Sequence, residues 1–322
     1  MADFPGPTRG RILLQVPIPI NGSVVTASDG TFRIAGDRRD GVVLALSTNG
    51  KTMWMTTVDQ RCSAPMALLN GVTVVTGFHS VNWIGAGGEV ERITPVAVNV
   101  DDSGGSPNVT ADGTLVLGAC NGEVVVMKGD CCWQVGVYGY DVLPPAVYRN
   151  RTLGVGGYAG TGPSRVTLRG ETLWSWPELY DVDGIVSLNQ SETMAVSAAN
   201  RDCTYFLDSN GALLSRVKGT FACGAHRRGW TAFGKNTLCL LSEDGQLLWQ
   251  QPLDGCPEQG RQAASDSVGN IYASSQHGMA AFNEWGVLLF ETRLAGPQPD
   301  SISLIGQGRA AFVCHQTFYV LD

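Results

Sequence analysis

A short turn signal recurs eight times along this chain of 322 residues, and its period constrains the fold more than any other feature. Each copy is a pair of glycine or polar turn residues followed by a β-rich run, and successive copies lie 38 to 42 residues apart. Repeats of this length with several short strands each are typical of sheets repeated around an axis. The copies are Asp29-Gly30, Asn70-Gly71, Asp112-Gly113, Asn150-Arg151, Gln190-Ser191, Arg228-Gly229, Val268-Gly269 and Gln307-Gly308.

A second marker runs in phase with the first: a glycine is followed four residues later by an aromatic or large aliphatic residue. Gly88 with Arg92 and Gly211 with Ser215 are weaker copies. The clear copies are Gly50 with Trp54, Gly129 with Trp133, Gly170 with Trp174, Gly245 with Trp249 and Gly286 with Phe290. The two markers together predict an all-β fold, an eight-bladed β-propeller of four-stranded blades.

The two ends of the chain predict how this ring closes. The final segment, 317–322, has the pattern of a third strand, but no glycine and fourth strand follow it. Gly10 to Leu14 repeats the glycine-plus-four spacing at the other end of the chain. We therefore expect residues 10–17 to complete the last blade, within a single domain covering 1–322. Closure of this kind removes two open sheet edges that would otherwise promote aggregation.

Composition narrows the partners and the compartment. The net charge of −7 argues against nucleic acid or an anionic membrane as the main partner. No apolar run approaches the ~18 residues of a membrane helix, and the first ten residues carry one basic residue, Arg9, without the apolar core of an export signal. The nine cysteines are odd in number and fall mostly in predicted strands, which favours buried thiols in a reducing compartment. We expect a cytoplasmic protein.

The repeat resembles the PQQ-type, or quinoprotein-like, propeller repeat. Its clearest copy runs from Val268 to Ala273 and from Gly278 to Phe290, and 112–117 with 122–127 form a second. Relatives of this kind include quinoprotein alcohol dehydrogenases and a bacterial outer-membrane assembly lipoprotein. The resemblance implies the fold, which does not by itself fix a function.

One feature resembles a quinoprotein enzyme more closely. Cys131 and Cys132 are adjacent, and methanol-dehydrogenase-like enzymes carry a vicinal disulfide against their quinone. Here the pair leads into Trp133 on a predicted fourth strand, at the rim and far from the axis. The chain is also about half the usual length of those enzymes and lacks their export signal. We expect neither PQQ nor any other cofactor, with a divalent cation, Ca²⁺ or Mg²⁺, left open.

Loops between blades converge on a central funnel, where propellers generally bind ligands. Four blades in succession place carboxylates there at nearly the same phase, ten to twelve residues before the turn marker. Paired charges could orient a polar ligand through hydrogen bonds, and tyrosines could stack on a ring or a cation. The acidic arc contains Asp59, Asp101, Tyr140-Asp141 and Tyr180-Asp181 with Asp183, and Arg61 lies beside Asp59.

The opposite arc, from blades 6 and 7, is predicted to be basic, with His226, Arg227, Glu258 and Arg261. His226 is a candidate general base that would need a carboxylate such as Asp183 or Glu258. The catalytic candidates are thus His226, Asp183, Tyr140 and Tyr180, and the remaining residues of both arcs are candidate ligand contacts. The alternative explanation is that each Asp only caps a turn.

Three histidines fall at turns between second and third strands: His79, His277 and His315. They lie too far apart in the predicted ring to share a metal ion, for which ligand distances are near ~2 Å. We therefore predict exposed turn residues and no metal site built from histidine.

Two classes of function remain open. The leading interpretation is a binding protein that takes a small polar ligand or a partner segment in its funnel. The alternative is a propeller enzyme, a lyase, cyclase or hydrolase, using funnel Asp, His and Tyr residues with or without a divalent cation. A PQQ-dependent dehydrogenase is the least favoured interpretation.

Overall fold

The computed structural model describes residues 2–36, 41–58, 66–67, 71–96, 107–119, 122–137, 141–158, 162–179, 182, 186–198, 202–253, 263–275, 278–294, 299 and 301–322, with the backbone alone at 66, 67, 141, 158 and 223. Within these ranges the chain forms 34 β-strands and no helix. All are arranged in antiparallel sheets.

The strands of the first half form blades 1 to 4, after a leading strand that belongs to the last blade. That leading strand is β1 (Ile12–Pro17). Blade 1 is β2 (Ser23–Thr26), β3 (Phe32–Ala35), β4 (Val42–Leu46) and β5 (Thr52–Thr57). Blade 2 is β6 (Met66–Ala67), β7 (Thr73–Thr76), β8 (Ser80–Ile84) and β9 (Val90–Pro95). Blade 3 is β10 (Asn108–Val109), β11 (Leu115–Ala119), β12 (Glu123–Lys128) and β13 (Cys131–Gly136). Blade 4 is β15 (Ala146–Val147), β16 (Leu153–Val155), β18 (Ser164–Val166) and β19 (Thr172–Ser175), with the added pair β14 (Asp141–Val142) and β17 (Gly157–Tyr158).

The second half repeats the same arrangement four more times. Blade 5 is β20 (Ser187–Leu188), β21 (Met194–Ala198), β22 (Cys203–Leu207) and β23 (Leu213–Lys218). Blade 6 is β24 (Thr220–His226), β25 (Gly229–Gly234), β26 (Thr237–Leu241) and β27 (Leu247–Pro252). Blade 7 is β28 (Ala263–Ser265), β29 (Ile271–Ser275), β30 (Gly278–Phe282) and β31 (Leu288–Arg293). Blade 8 is β32 (Ser303–Gly306), β33 (Arg309–Cys314), β34 (Thr317–Leu321) and β1.

The prediction of eight four-stranded blades in a ring is confirmed. The first sequence marker falls between the first and second strands of each blade, and the second marker falls between the third and fourth. Glycines at both turns adopt positive φ, as at Gly30 (81°) and Gly50 (79°), a conformation that glycine reaches without steric cost.

Strand β1 closes the ring, as the chain ends predict. It pairs antiparallel with β34 over the register from Ile12 with Leu321 to Pro17 with Thr317. The Gly10 N–H donates to the Asp322 carbonyl at 2.7 Å, and the Arg11 guanidinium lies 2.6 Å from the Asp322 carboxylate. The last blade is therefore built from both ends of the chain.

The core is divided into eight apolar clusters, one between each pair of neighbouring blades. Phe206 of blade 5 lies 5.8 Å from Trp230 of blade 6 between ring centroids. Phe318 of blade 8 lies 4.8 Å from Phe32 of blade 1. Since the cluster between blades 8 and 1 is built like the others, the seam is a true blade interface. Burial of both sheet faces explains why the inner strands are so apolar.

The glycine-plus-four marker also joins neighbouring blades. The Trp54 indole N–H donates to the Ala86 carbonyl of the next blade at 2.7 Å, and Trp249 donates to Glu284 at 3.0 Å. A Cβ at Gly88 would lie 2.6 Å from the Trp54 ring, and one at Gly10 would lie 2.2 Å from Phe290. At four of these turns, those of Gly10, Gly88, Gly211 and Gly286, the glycine thus leaves room for the marker aromatic residue of the preceding blade.

Candidate functional site

The ring has two faces with different turns. The end of each outer strand lies beside the turn between the second and third strands: Val58 N–H donates to Gly41 at 2.8 Å, and Val96 N–H donates to His79 at 2.9 Å. We call the face that carries these turns and the connections between blades the funnel face. The opposite face carries the turns that join first to second and third to fourth strands, and we call it the turn face.

Most of the predicted funnel residues lie outside the part of the chain that the structure describes. They are Asp59, Arg61, Asp101, Tyr140, Tyr180, Asp181, Asp183, Glu258 and Arg261. Their roles stay predictions from the sequence. The structure does place Asp141, His226 and Arg227.

Asp141 lies in the connection between blades 3 and 4. It begins β14, and its backbone pairs with Tyr158 of β17. The turn to the second strand follows at 148–152, at the other end of the innermost strand. Asp141 therefore lies on the funnel face, in the added strand β14, which precedes the innermost strand β15 and pairs with β17 beside the turn between the second and third strands of blade 4.

His226 and Arg227 lie on the turn face, which corrects their predicted grouping with the inter-blade loops. His226 is the last residue of the seven-residue strand β24, and it pairs with Gly229 across the turn into β25. The strand enters the blade at Thr220 on the funnel side. The prediction failed because these residues come just before the turn marker, whereas the carboxylates come ten to twelve residues before it.

Both ring nitrogens of His226 are engaged by backbone groups. Its Nδ1 accepts the Arg228 N–H at 3.0 Å, and this requires Nε2 to carry the proton that is donated to the Gly269 carbonyl at 3.0 Å. The side chain is 3% exposed. Burial lowers the pKa of His226, and the Arg227 and Arg228 cations lower it further. A catalytic role stays a prediction, but this geometry is that of a neutral histidine joining blades 6 and 7.

This geometry predicts a pH dependence of stability. The unfolded chain takes up a proton near the ordinary histidine pKa of 6.5, whereas folded His226 does not until lower pH. Its stabilising effect is therefore complete above pH 6.5 and is lost as the pH falls below it. Urea unfolding of the wild type should show this loss as the pH is lowered from 6.5, and His226→Gln should show a smaller one. Equal slopes in the two proteins would contradict this account.

Arg227 and Arg228 fasten the same two blades together. The Arg227 guanidinium lies 2.5 Å from the Glu284 carboxylate. Arg228 donates to the Glu284 carbonyl at 2.9 Å and lies over the Trp285 ring, 4.3 Å from its centroid. A Cβ at Gly269 would lie 2.7 Å from the Arg227 Nε atom. The cluster has the contacts of a structural clamp between blades.

Asp266 is a buried carboxylate whose importance sequence reasoning missed. Its side chain is fully buried. Oδ1 accepts the N–H groups of Val268 and Asn270 at 3.1 and 2.7 Å, as a turn cap does. Oδ2 accepts the Gly6 N–H at 2.9 Å and lies 2.9 Å from the Tyr272 hydroxyl. Asp266 thus joins the N-terminal segment to blade 7.

Tyr272 completes this anchor. Its hydroxyl also lies 3.0 Å from the Pro7 carbonyl, so its one proton is shared between two acceptors. Burial raises the pKa of Tyr272, and the charge of Asp266 raises it further. The hydroxyl therefore stays protonated and able to donate. Nothing in the local sequence distinguishes this turn from an ordinary capped turn, because Gly6 is 260 residues away.

A cavity of about 510 Å³ opens at the seam between blades 8 and 1. We call it the seam cavity. Its walls come from β1, β34 and three turn-face turns. They are formed by Leu13, Leu14, Thr26, Gly30, Phe32, Thr48, Asn49, Ile305, Gly306, Gln307, Arg309 and Val320. Sequence reasoning did not find this cavity, since it is assembled from the two ends of the chain.

The adjacent cysteines lie on the outermost strand of blade 3, as predicted. Cys131 and Cys132 are exposed free thiols paired with Lys128 and Met127 of β12. Successive residues of a regular strand point to opposite faces of the sheet. This strand geometry does not fit a vicinal disulfide held against a cofactor on the axis. Cys203, Cys239 and Cys314 are also free, and they are buried.

Metal-binding and membrane features were sought in the same described ranges. They contain no cluster of three His, Cys, Asp or Glu side chains able to hold a metal ion. His79 and His315 are exposed turn residues, and His277 lies outside the described residues. No helix long and apolar enough to cross a bilayer occurs in these ranges.

Comparisons with known proteins support the architecture. BamB from Moraxella catarrhalis aligns with 97% of this chain and 99% of its own, at a TM-score of 0.75 and 13% identity. The Dos1 propeller aligns with 97% of this chain and 95% of its own, at a TM-score of 0.76 and 8% identity. Virginiamycin B lyase from Staphylococcus aureus aligns with 96% of this chain and 98% of its own, at a TM-score of 0.62 and 8% identity.

These identities are low enough that the likeness concerns the fold alone. No family model and no curated protein matches the chain. The PQQ-type assignment of the repeat therefore remains a prediction from its motifs, within a fold that the solved β-propellers share.

Proposed function

We propose that the funnel face binds a small polar ligand, or a polar segment of a partner protein, in the cytoplasm. The observation that carries this proposal is the position of Asp141 in β14, in the connection between blades 3 and 4, where its backbone pairs with Tyr158 on the funnel face. Asp59, Asp101 and Asp181 occur at the same phase of the repeat. A repeat fold gives equivalent positions to equivalent residues, so the four carboxylates belong to one arc.

The arc favours a ligand that carries positive charge. Carboxylates brought together repel one another, and a cation or amine among them relieves that repulsion. Tyr140 and Tyr180 come directly before two of the aspartates and add ring faces suited to a cation. Since His226 and Arg227 lie on the turn face, Glu258 and Arg261 are the remaining candidates for the opposite arc.

The proposed location is supported by five free cysteines: Cys131, Cys132, Cys203, Cys239 and Cys314. Free thiols, two of them exposed, suit a reducing compartment. The net charge of −7 supports a partner other than nucleic acid or an anionic membrane.

The alternative proposal is an enzyme on the same face. Virginiamycin B lyase shares the fold, but at this identity it contributes only an analogy for lyase chemistry. The engaged nitrogens of His226 count against it as a general base. A funnel reaction of the lyase, cyclase or hydrolase type would then rest on Asp183, Tyr140 and Tyr180, with or without a divalent cation. PQQ-dependent oxidation stays the least favoured option.

A melting screen with matched variants tests the binding proposal. Wild-type protein is heated with Ca²⁺, Mg²⁺, Mn²⁺, spermidine or glycine, and we expect a clear rise in Tm with at least one of them. Ligand at one hundred times its Kd adds about 2.7 kcal/mol of stability. The double variant Asp141→Asn with Asp181→Asn should lose this shift, while its unliganded Tm equals or slightly exceeds that of the wild type.

The control is Asp130→Asn, which removes a carboxylate that is 99% exposed on the turn face. It should keep the full shift. If no compound changes the Tm, or if both variants show equal Tm shifts, the funnel aspartates only cap turns and the binding proposal is wrong. If a substrate is found and the double variant binds it but turns it over at least ~100-fold more slowly, about 2.7 kcal/mol of transition-state stabilisation, the enzyme proposal is favoured instead.

A further inference from the structure

We propose that the seam cavity binds a small amphipathic monocarboxylate, an acyl-chain acid, independently of the funnel. The cavity holds about 510 Å³, within the range of about 300–1,000 Å³ usual for small-molecule sites. It opens on the turn face, so its occupant would not compete with a funnel ligand.

The interior of the cavity suits an apolar chain. Four apolar residues that line it belong to the sheet of blade 8, Leu13 and Leu14 of β1, Val320 of β34 and Ile305 of β32, and Phe32 of blade 1 lines it as well. Leu13 is 40% exposed although it lines a cavity. An alkyl chain laid along these side chains would remove their exposed surface from water, which favours binding.

The charge of the cavity suits an acid. The chain has 29 acidic and 22 basic residues, yet Arg309 is the one charged residue among the described residues that line the cavity. In the described part of the chain, the Arg309 guanidinium forms no ion pair or hydrogen bond with any other group, unlike Arg11 and Arg227, which pair with carboxylates. A guanidinium presents parallel N–H donors that match a carboxylate.

One cation also limits the charge of the ligand. Asp29 is next to lining residue Gly30, and its carboxylate already accepts the Thr31 N–H and hydroxyl at 2.9 and 2.5 Å. A dianionic phosphate would leave an excess negative charge close to this turn. A monocarboxylate is neutralised by Arg309 alone. The polar side chains Thr48, Asn49 and Gln307 at the turns leave room for further hydrogen bonds to its head group.

Calorimetric titration with sodium octanoate tests the proposal. The full-length wild type should bind octanoate, and Arg309→Gln should weaken binding at least tenfold. The control is Arg293→Gln, which removes an exposed arginine of β31 that does not line the cavity. It should bind as the wild type does. Acetate, which has no apolar chain, should not bind measurably, and 1-octanol should bind equally to wild type and Arg309→Gln.

Methyl NMR gives the second readout. Octanoate should shift the Leu13, Leu14 and Ile305 methyl signals, and Leu13→Ser should weaken binding without unfolding the protein. Asp141→Asn with Asp181→Asn should bind octanoate normally, so failure here is distinct from failure of the funnel proposal. Equal binding by Arg309→Gln and Arg293→Gln would overturn the proposal. The proposal would also be overturned if octanoate left the Leu13, Leu14 and Ile305 methyl signals unshifted. It would be overturned as well if octanoate did not bind and only a peptide ending in Leu-Leu with a free carboxylate did.

Discussion

Deletion of residues 2–17 should leave the protein insoluble or without a cooperative unfolding transition. The deletion removes β1, which pairs with β34 from Ile12 to Pro17, and exposes the edge of β34. It also removes Leu14 and Val16 from the apolar cluster between blades 8 and 1. We expect a loss on the order of 5 kcal/mol or more, which is comparable with the whole stability of many domains. Open strand edges further promote aggregation.

A complementation experiment makes this prediction specific to the strand. A synthetic peptide of residues 2–18, refolded with the truncated chain, should restore solubility and a single thermal transition. The same peptide with Leu14→Asp and Val16→Asp should restore neither, because the side chains that pack against the cluster between blades 8 and 1 are then charged. A truncated protein that melts at the wild-type temperature would show that β1 is dispensable.

Replacement of Asp266 by alanine should be the most damaging single substitution among the turn residues. It leaves the N–H groups of Gly6, Val268 and Asn270 without their side-chain acceptor and removes one of the two acceptors of the Tyr272 hydroxyl. Each buried donor left unpaired costs about 1–3 kcal/mol, so we expect a loss of about 3 kcal/mol or more in urea unfolding.

Asp208→Ala is the matched control. Asp208 caps its turn in the same way, accepting the N–H groups of Asn210 and Ala212 at 2.8 Å each, but within the described residues it accepts no hydrogen bond from a distant segment. It should cost about 1 kcal/mol. Limited trypsin treatment adds a second readout: cleavage after Arg9 should accelerate in Asp266→Ala only. Similar losses and equal cleavage in the two variants would contradict the anchoring role of Asp266.

The fold was predictable from the sequence because each local signal has a fixed physical cause. Gly30 and Gly50 adopt positive φ at their turns, and Gly88 leaves room for Trp54 of the preceding blade. Both causes recur in blade after blade, so they appear as a period. The unfinished last repeat and the extra one at Gly10 then predicted the closure.

The sites were less predictable because they depend on contacts between distant residues. Asp266 and Asp208 look alike in sequence, and only the approach of Gly6 makes one of them an anchor. Arg309 differs from other exposed arginines only because the two chain ends meet beside it. His226 was assigned to the wrong face from the sequence, because the two faces of the ring are separated by the length of a single strand, here Thr220 to His226.

The central claim is that the funnel face, rather than the turn face, binds the polar ligand. Methyl NMR tests this claim directly. The protein is titrated with the compound that gives the largest rise in Tm in the melting screen. We predict shifts for Val58, Val96 and Leu253, at the funnel-face ends of outer strands, with Val268 and Val287 on the turn face unchanged. Shifts confined to Val268 and Val287, with the funnel-face methyls unmoved, would contradict it.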